Sequence, residues 1–178
     1  MLISLTGYRG TGKTTVGQLL AERLGWRCVD TDAEIESLMG RPIRQIFDDD
    51  GEQRFRDVES QIVVQMARQH KLILALGGGT IVRPENRQAL QVAGPVVWLR
   101  ATPETIYQRI TDDQVSDSQR PNLTPSGGFA EIKQVLEERT PIYQASSDCI
   151  IDTDGLAPGD IADAILKSLD MPPQNDPC

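Results

Sequence analysis

No run of apolar residues in this chain approaches the ~18 that a membrane-spanning helix requires, so no membrane partner is expected. Cysteine is scarce. Cys28, Cys149 and Cys178 stand far apart, with no C-x-x-C pair and no metal-ligand spacing. Cys28 and Cys149 lie in apolar, strand-like runs and read as buried, unreactive thiols. A reduced cytoplasm is their natural compartment. The single histidine, His70, precedes a strand and reads as a surface residue, so a Ser/His/Asp arrangement is not in view. A net charge of −8 argues against nucleic acid as a partner. Lysine is rare: Lys13, Lys71, Lys133 and Lys167 face fourteen arginines. Arginine suits bidentate capture of carboxylate or phosphate, although plain compositional preference covers more than half of these. Neither repeats nor a second domain can be found in the 178 residues, which suffice for one α/β domain with a real core. The chain opens directly on a strand, so a leader peptide is not expected.

What is present begins at Gly7-Tyr8-Arg9-Gly10-Thr11-Gly12-Lys13-Thr14, which fits G-x-x-x-x-G-K-[ST]. The context fits as well. Leu2-Ile3-Ser4-Leu5 reads as a buried strand, and Val16, Leu19, Leu20 and Leu24 recur at helical spacing. A strand, a glycine-rich turn and a helix start aim backbone N–H groups at one point, where the helix dipole adds positive potential. Gly10, Thr11, Gly12, Lys13, Thr14 and Thr15 are therefore the candidates for holding a nucleoside triphosphate. Lys13 can reach the β- and γ-phosphates, and the Thr14 hydroxyl can ligate Mg²⁺.

Arg27-Cys28-Val29-Asp30 predicts a second strand, ending in Asp30-Thr31-Asp32 before a helix that starts at Ala33. Carboxylates at a strand's C-terminal end lie where open α/β sheets bind ligands. One can help hold Mg²⁺ through water and the other can face an acceptor hydroxyl; alternatively Asp30 or Thr31 caps the helix. Residues 42–47 predict a short helix and Asp48-Asp49-Asp50-Gly51 a turn. A longer helix then opens at Glu52, with Phe55, Val58, Ile62, Val63 and Met66 on its apolar side. Arg54 and Arg56 must diverge on it, being two residues apart. Residues 72–76 predict a central strand followed at once by Gly77-Gly78-Gly79. Many P-loop proteins place an aspartate metal ligand there. Here three glycines allow close backbone approach to a ligand instead, which gives more weight to Asp30 and Asp32. Helix, strand and helix follow at 84–92, 95–99 and 102–110. A polar stretch then runs from Thr111 to Ser126, where Arg120 is placed to close over phosphates. Helix resumes at 128–143, a last strand covers 148–152 and a last helix 161–169.

Taken in order, these stretches resemble shikimate kinase, from Leu2 to about Leu169. The motifs are the P-loop, Asp30-Thr31-Asp32, Gly51-Glu52 with Phe55-Arg56 and Glu59, Gly77-Gly78-Gly79, Arg120-Pro121, and Glu138-Arg139 with Pro141 and Tyr143. The resemblance implies phosphoryl transfer from MgATP to the 3-hydroxyl of shikimate. Asp30 would hold Mg²⁺ through water, and Asp32 would bind the accepting hydroxyl and act as its base. Arg56 and Arg139 would clamp the substrate carboxylate with the backbone of Gly78 and Gly79, and Glu59 would buttress Arg56. Phe47 and Phe55 would line the ring pocket. Arg120 would descend from a lid onto the phosphates, and Arg109 would lie near adenine. Two departures stand out: Asn122 replaces an apolar lid residue, and Thr153-Asp154-Gly155 replaces a basic or asparagine-rich turn near adenine.

The expected fold is a three-layer α/β P-loop kinase with a five-stranded parallel sheet in the order 2-3-1-4-5. One domain, 1–171, would carry a substrate-binding helical region over about 32–59 and a lid over about 111–126. Residues 172–178 would form a loose tail, and the protein would be a monomer. The rivals are another small-molecule kinase, for gluconate or a nucleoside monophosphate, and a non-catalytic nucleotide-binding regulator. The D-T-D, F-R and G-G-G combination opposes the first, and intact Lys13, Thr14, Asp30, Asp32 and Arg120 oppose the second.

Overall fold

The computed structural model describes residues 1–112 and 128–172. Its centre is β1 (Leu2–Thr6), buried along its whole length. Such a run suits a strand covered on both faces. Around it lie β2 (Arg27–Asp30), β3 (Leu72–Ala75), β4 (Val96–Arg100) and β5 (Cys149–Asp152). All pairings are parallel, in the order β2-β3-β1-β4-β5.

Seven α-helices connect and cover the strands among the described residues: α1 (Lys13–Leu24), α2 (Thr31–Met39), α3 (Ile43–Ala67), α4 (Pro84–Ala93), α5 (Pro103–Asp112), α6 (Gly128–Ser146) and α7 (Pro158–Ser168). Strand side chains alternate between two cores, as a period of two dictates. Leu72, Leu74, Val96 and Trp98 join Ile62, Val63 and Leu90 of α3 and α4. Ile73, Val97 and Leu99 join Leu20 and Ile165 of α1 and α7. Each fully buried aliphatic side chain contributes about 1.5–3 kcal/mol.

The register sets the site. Asp30 and Leu5 both pair with Ala75, so β1, β2 and β3 end side by side. Their C-terminal ends deliver the P-loop, the aspartate pair and the glycine triplet to one edge.

Three local differences from the sequence reading have physical causes. First, α2 starts at Thr31, not Ala33, because Asp30 accepts hydrogen bonds from Asp32 N and Ala33 N and caps it. Asp32 therefore stands in the first helical turn. Second, Asp48, Asp49 and Asp50 are helical; only Gly51 breaks the run, at φ 81 and ψ 166. Their charges at a helix end are opposed by Arg41, which pairs with Asp49 at 3.1 Å and with Asp50. Third, Cys28 and Cys149 are half-buried rather than fully buried. Cys28 still fits an unreactive thiol: burial, then the charge of Asp30, pushes it up to about 11. Among the described residues no helix is long and apolar enough to cross a membrane.

Candidate active site

The loop after β1 is shaped by glycines at positive φ: Gly10 at 79° and Gly12 at 90°. Gly12 heads α1 and offers no side-chain cap, so the first-turn N–H groups are left for a ligand. This is the cradle an anionic phosphate chain requires. Lys13 Nζ folds back over the loop, donating to Gly7 O at 2.9 Å and Tyr8 O at 2.8 Å. The Thr14 hydroxyl donates to Asp30 Oδ2 at 2.6 Å. Asp30 Oδ1 meanwhile accepts from Asp32 N at 2.9 Å. Asp30 thus performs the capping that the sequence offered as one alternative, while its other oxygen faces the Thr14 hydroxyl of the P-loop.

Thr14 and Asp30 offer a hard oxygen pair. Among the described residues no group of three or more His, Cys, Asp or Glu forms a metal cluster. A two-residue oxygen site fits Mg²⁺, which keeps most of its waters.

Beside the loop lies a pocket that opens to solvent. The two phenyl rings of Phe47 and Phe55 form an apolar wall, with centroids 4.7 Å apart. Arg56 lies over Phe55, its Cζ 5.1 Å from the ring centroid. Its Nη1 donates to Glu59 Oε2 at 2.9 Å, and Thr80 Oγ1 donates to Glu59 Oε1 at 2.7 Å. Burial pushes the Glu59 carboxyl up, and the guanidinium of Arg56 opposes that. Arg83 braces the same turn of α3, donating to Arg56 O at 3.1 Å and to Asp57 at 2.9 Å. From α6, Arg139 Nη1 and the Tyr143 hydroxyl both donate to Gly78 O, at 3.0 and 2.5 Å.

Two glycines of the triplet stand where a side chain would crowd the pocket. A Cβ on Gly77 would stand 2.5 Å from Asp32 Oδ1, and one on Gly79 would stand 2.8 Å from Arg56 Nη1 and Nη2. Gly78 abuts the phosphate loop itself: a Cβ there would lie 3.4 Å from Gly7 O and 3.5 Å from Arg9 N. The turn is pinned from β2 as well, since Gly77 N donates to Thr31 Oγ1 at 2.8 Å.

The structure joins Thr14 to Asp30 and folds Lys13 over the adjacent loop. It lines the adjoining pocket with Asp32, Arg56, Gly78, Gly79 and Arg139. Arg109 stands apart from that pocket, donating to Gly10 O at 3.4 Å and to Thr153 O at 2.7 Å. Arg120, and all of the expected lid beyond Asp112, lie outside the described residues. Three lining residues escaped the sequence reading: Tyr8, Arg9 and Ile43. Arg9 was visible as a charge inside the P-loop motif. Thr31 stood between two named aspartates. Neither signal says which way a side chain points.

A parallel sheet in this order, a glycine-rich loop feeding α1, and an acidic pair beside an acceptor pocket define a P-loop kinase. The family model described as shikimate kinase matches residues 9–170. The chain is 40% identical over 164 residues to the shikimate kinase of Rhodopirellula baltica, covering 92% of this chain and 88% of that one. It is 38% identical over 165 residues to that of Thermodesulfovibrio yellowstonii, covering 93% and 92%. A solved shikimate kinase from Acinetobacter baumannii, in complex with shikimate, superposes with a TM-score of 0.88 at 36% identity, covering 94% of this chain and 92% of the other. The chain belongs to the shikimate kinase family.

Proposed function

We infer that this protein transfers the γ-phosphate of ATP to the 3-hydroxyl of shikimate, a step of aromatic amino-acid biosynthesis by way of chorismate. The observation that carries the reading is the pocket's polarity. It holds two arginines for a carboxylate, an apolar wall for a ring, and Asp32 beside the P-loop for a hydroxyl.

In this reading Arg56 and Arg139 clamp the carboxylate. Glu59 orients Arg56, and Arg139 spends one donor on Gly78 O, leaving the rest of its fork for the acid. Phe47 and Phe55 pack against the ring and exclude water. Asp32 accepts the hydrogen bond of the 3-hydroxyl and takes its proton as the oxygen attacks phosphorus. Lys13 leaves the carbonyls of Gly7 and Tyr8 to meet the oxygens of the moving phosphoryl group. The N–H groups of Gly10 to Thr15 hold the phosphate chain, and Arg109 borders the nucleotide. Thr14, and Asp30 through water, would hold Mg²⁺, which would supply positive charge to the phosphate oxygens. Catalysis here is mostly positioning and charge stabilisation.

A monomer in the reducing cytoplasm is proposed with it; the unpaired Cys28 and Cys149 support that compartment. A coupled ADP-release assay across shikimate, gluconate and nucleoside monophosphates tests the reading. Shikimate alone should support turnover, and only with Mg²⁺ present. Turnover with another acceptor, or with none, would overturn it; the second result would favour a nucleotide-binding regulator.

A further inference from the structure

Arg9 is the third arginine of the pocket, and none of the roles above uses it. It lies within the P-loop, immediately before Gly10, and lines the pocket together with Asp32 and the glycine triplet. Its side chain is 14% exposed. Nη2 donates to Glu131 Oε1 at 3.2 Å, and Glu131, on α6, is fully buried. Nε is buried with no hydrogen-bond partner among the described residues. A buried guanidinium N–H without an acceptor is unfavourable, and it marks a place an acceptor oxygen can fill.

Position says which oxygen. Arg56 and Arg139 belong to helices and are tied to Glu59 and Gly78 O. Arg9 alone of the three belongs to the loop that holds phosphates. Its backbone nitrogen lies where that loop meets the acceptor turn, 3.5 Å from where Gly78 would carry a Cβ. Charge says the same. Transfer leaves a phosphate dianion on the acceptor, in a pocket that already contains the Asp32 carboxylate. Two like charges there need a cation between the donor loop and the acceptor.

We propose that Arg9 binds the phosphoryl group on its acceptor side, and so is a binding residue for the phosphorylated product, with Glu131 holding its guanidinium in place. This rests on the reading of the acceptor as shikimate.

Calorimetric titration with shikimate and with shikimate 3-phosphate, each without nucleotide, tests it. Wild type, Arg9→Met and Glu131→Gln are compared. Arg9→Met should bind shikimate within about twofold of wild type and bind shikimate 3-phosphate about ten- to hundredfold more weakly. Glu131→Gln should keep product affinity or tighten it, because the amide oxygen can still accept from Nη2 and hold the guanidinium while the charge competing with phosphate is gone. Equal losses for both ligands in Arg9→Met, or no loss for either, overturn the proposal. So does the same product defect in Glu131→Gln, which would make the pair a structural tie between the P-loop and α6. Should Arg9→Met fail to fold, Arg9→Gln is read by the same ratio of the two affinities. If neither ligand binds wild type, the reading of the acceptor fails first, a result distinct from all of these.

Discussion

The Thr14 hydroxyl and the Asp30 carboxylate meet at 2.6 Å, joining the first turn of the P-loop helix to the end of the neighbouring strand. Asp30 also caps α2 through its other oxygen. Asp30→Asn keeps a capping oxygen but loses the charge, so activity should demand more Mg²⁺ and recover as Mg²⁺ is raised. Asp30→Ala should lose the cap too, costing about 1 kcal/mol of stability. Activity against Mg²⁺ concentration, with urea unfolding of both variants, checks this. A defect in Asp30→Asn that no Mg²⁺ concentration improves would remove the metal role.

Asp32 should behave differently. Asn preserves its shape but cannot take a proton. At saturating Mg²⁺, Asp32→Asn should therefore lower kcat by more than Asp30→Asn does. The reverse order would exchange the two roles.

The carboxylate clamp is tested at Arg56. Lysine keeps the charge and loses the planar two-donor fork. Arg56→Lys should weaken kcat/KM for shikimate about ten- to hundredfold, matching ~1.5–3 kcal/mol for a charge-assisted hydrogen bond, with little change in KM for ATP. Shikimate methyl ester should be a poor substrate for wild type and lose little more with the variant, since both changes break one interaction. Multiplicative losses would show that Arg56 does not read the carboxylate.

Two neighbouring glycines should fail in different ways when changed to alanine. The added methyl of Gly77→Ala intrudes on the Asp32 carboxylate, so the loss should fall on kcat, by about tenfold or more, which is ~1.4 kcal/mol. That of Gly79→Ala intrudes on the Arg56 guanidinium, so the loss should fall on KM for shikimate. Steady-state kinetics separates the two parameters. If both variants shift the same parameter equally, the triplet is merely a turn.

Alkaline pH should weaken the fold through Tyr143. Burial pushes its phenol from the ordinary value near 10 to about 12. Between those values the unfolded chain has lost this proton and the native chain keeps it. Its contribution is therefore whole below pH 10 and is lost as pH rises through about 12. One such proton gives a slope of about 1.4 kcal/mol per pH unit. Urea unfolding at pH 9 and pH 11 should show the loss, and Tyr143→Phe should make it smaller. A slope persists in that variant because burial pushes Tyr8 up as well. An unchanged slope in Tyr143→Phe would place the titration elsewhere.

Much of this is legible in the sequence. The P-loop announces itself because every glycine in it answers a backbone demand. β2 is predicted to the residue, and the sheet order follows from the family resemblance. The fate of Asp48-Asp49-Asp50 was not legible: the run looks like a turn, whereas in the fold it continues the helix, with Arg41 of the preceding loop and Gln45 set against its charges. Nor was the second duty of Asp30, since composition cannot say that one carboxylate serves a helix end and a hydroxyl at once. Tyr143 belongs to a motif, but its hydrogen bond to Gly78 O spans 65 residues of chain and leaves no local trace. Placement across such separations is where single-sequence reasoning stops.

The abutment of Gly78 against the P-loop backbone has a wider consequence. A methyl on Gly78 would already be in van der Waals contact with the main chain of Gly7 and Arg9, so no side chain stands between the floor under the acceptor and the cradle under the donor. The gauge of the transfer is thus built from parts that substitution hardly alters. Phe47, Phe55 and Arg56 line the other side of the pocket, so exchanging their side chains would reshape the wall without touching this close approach of main chain.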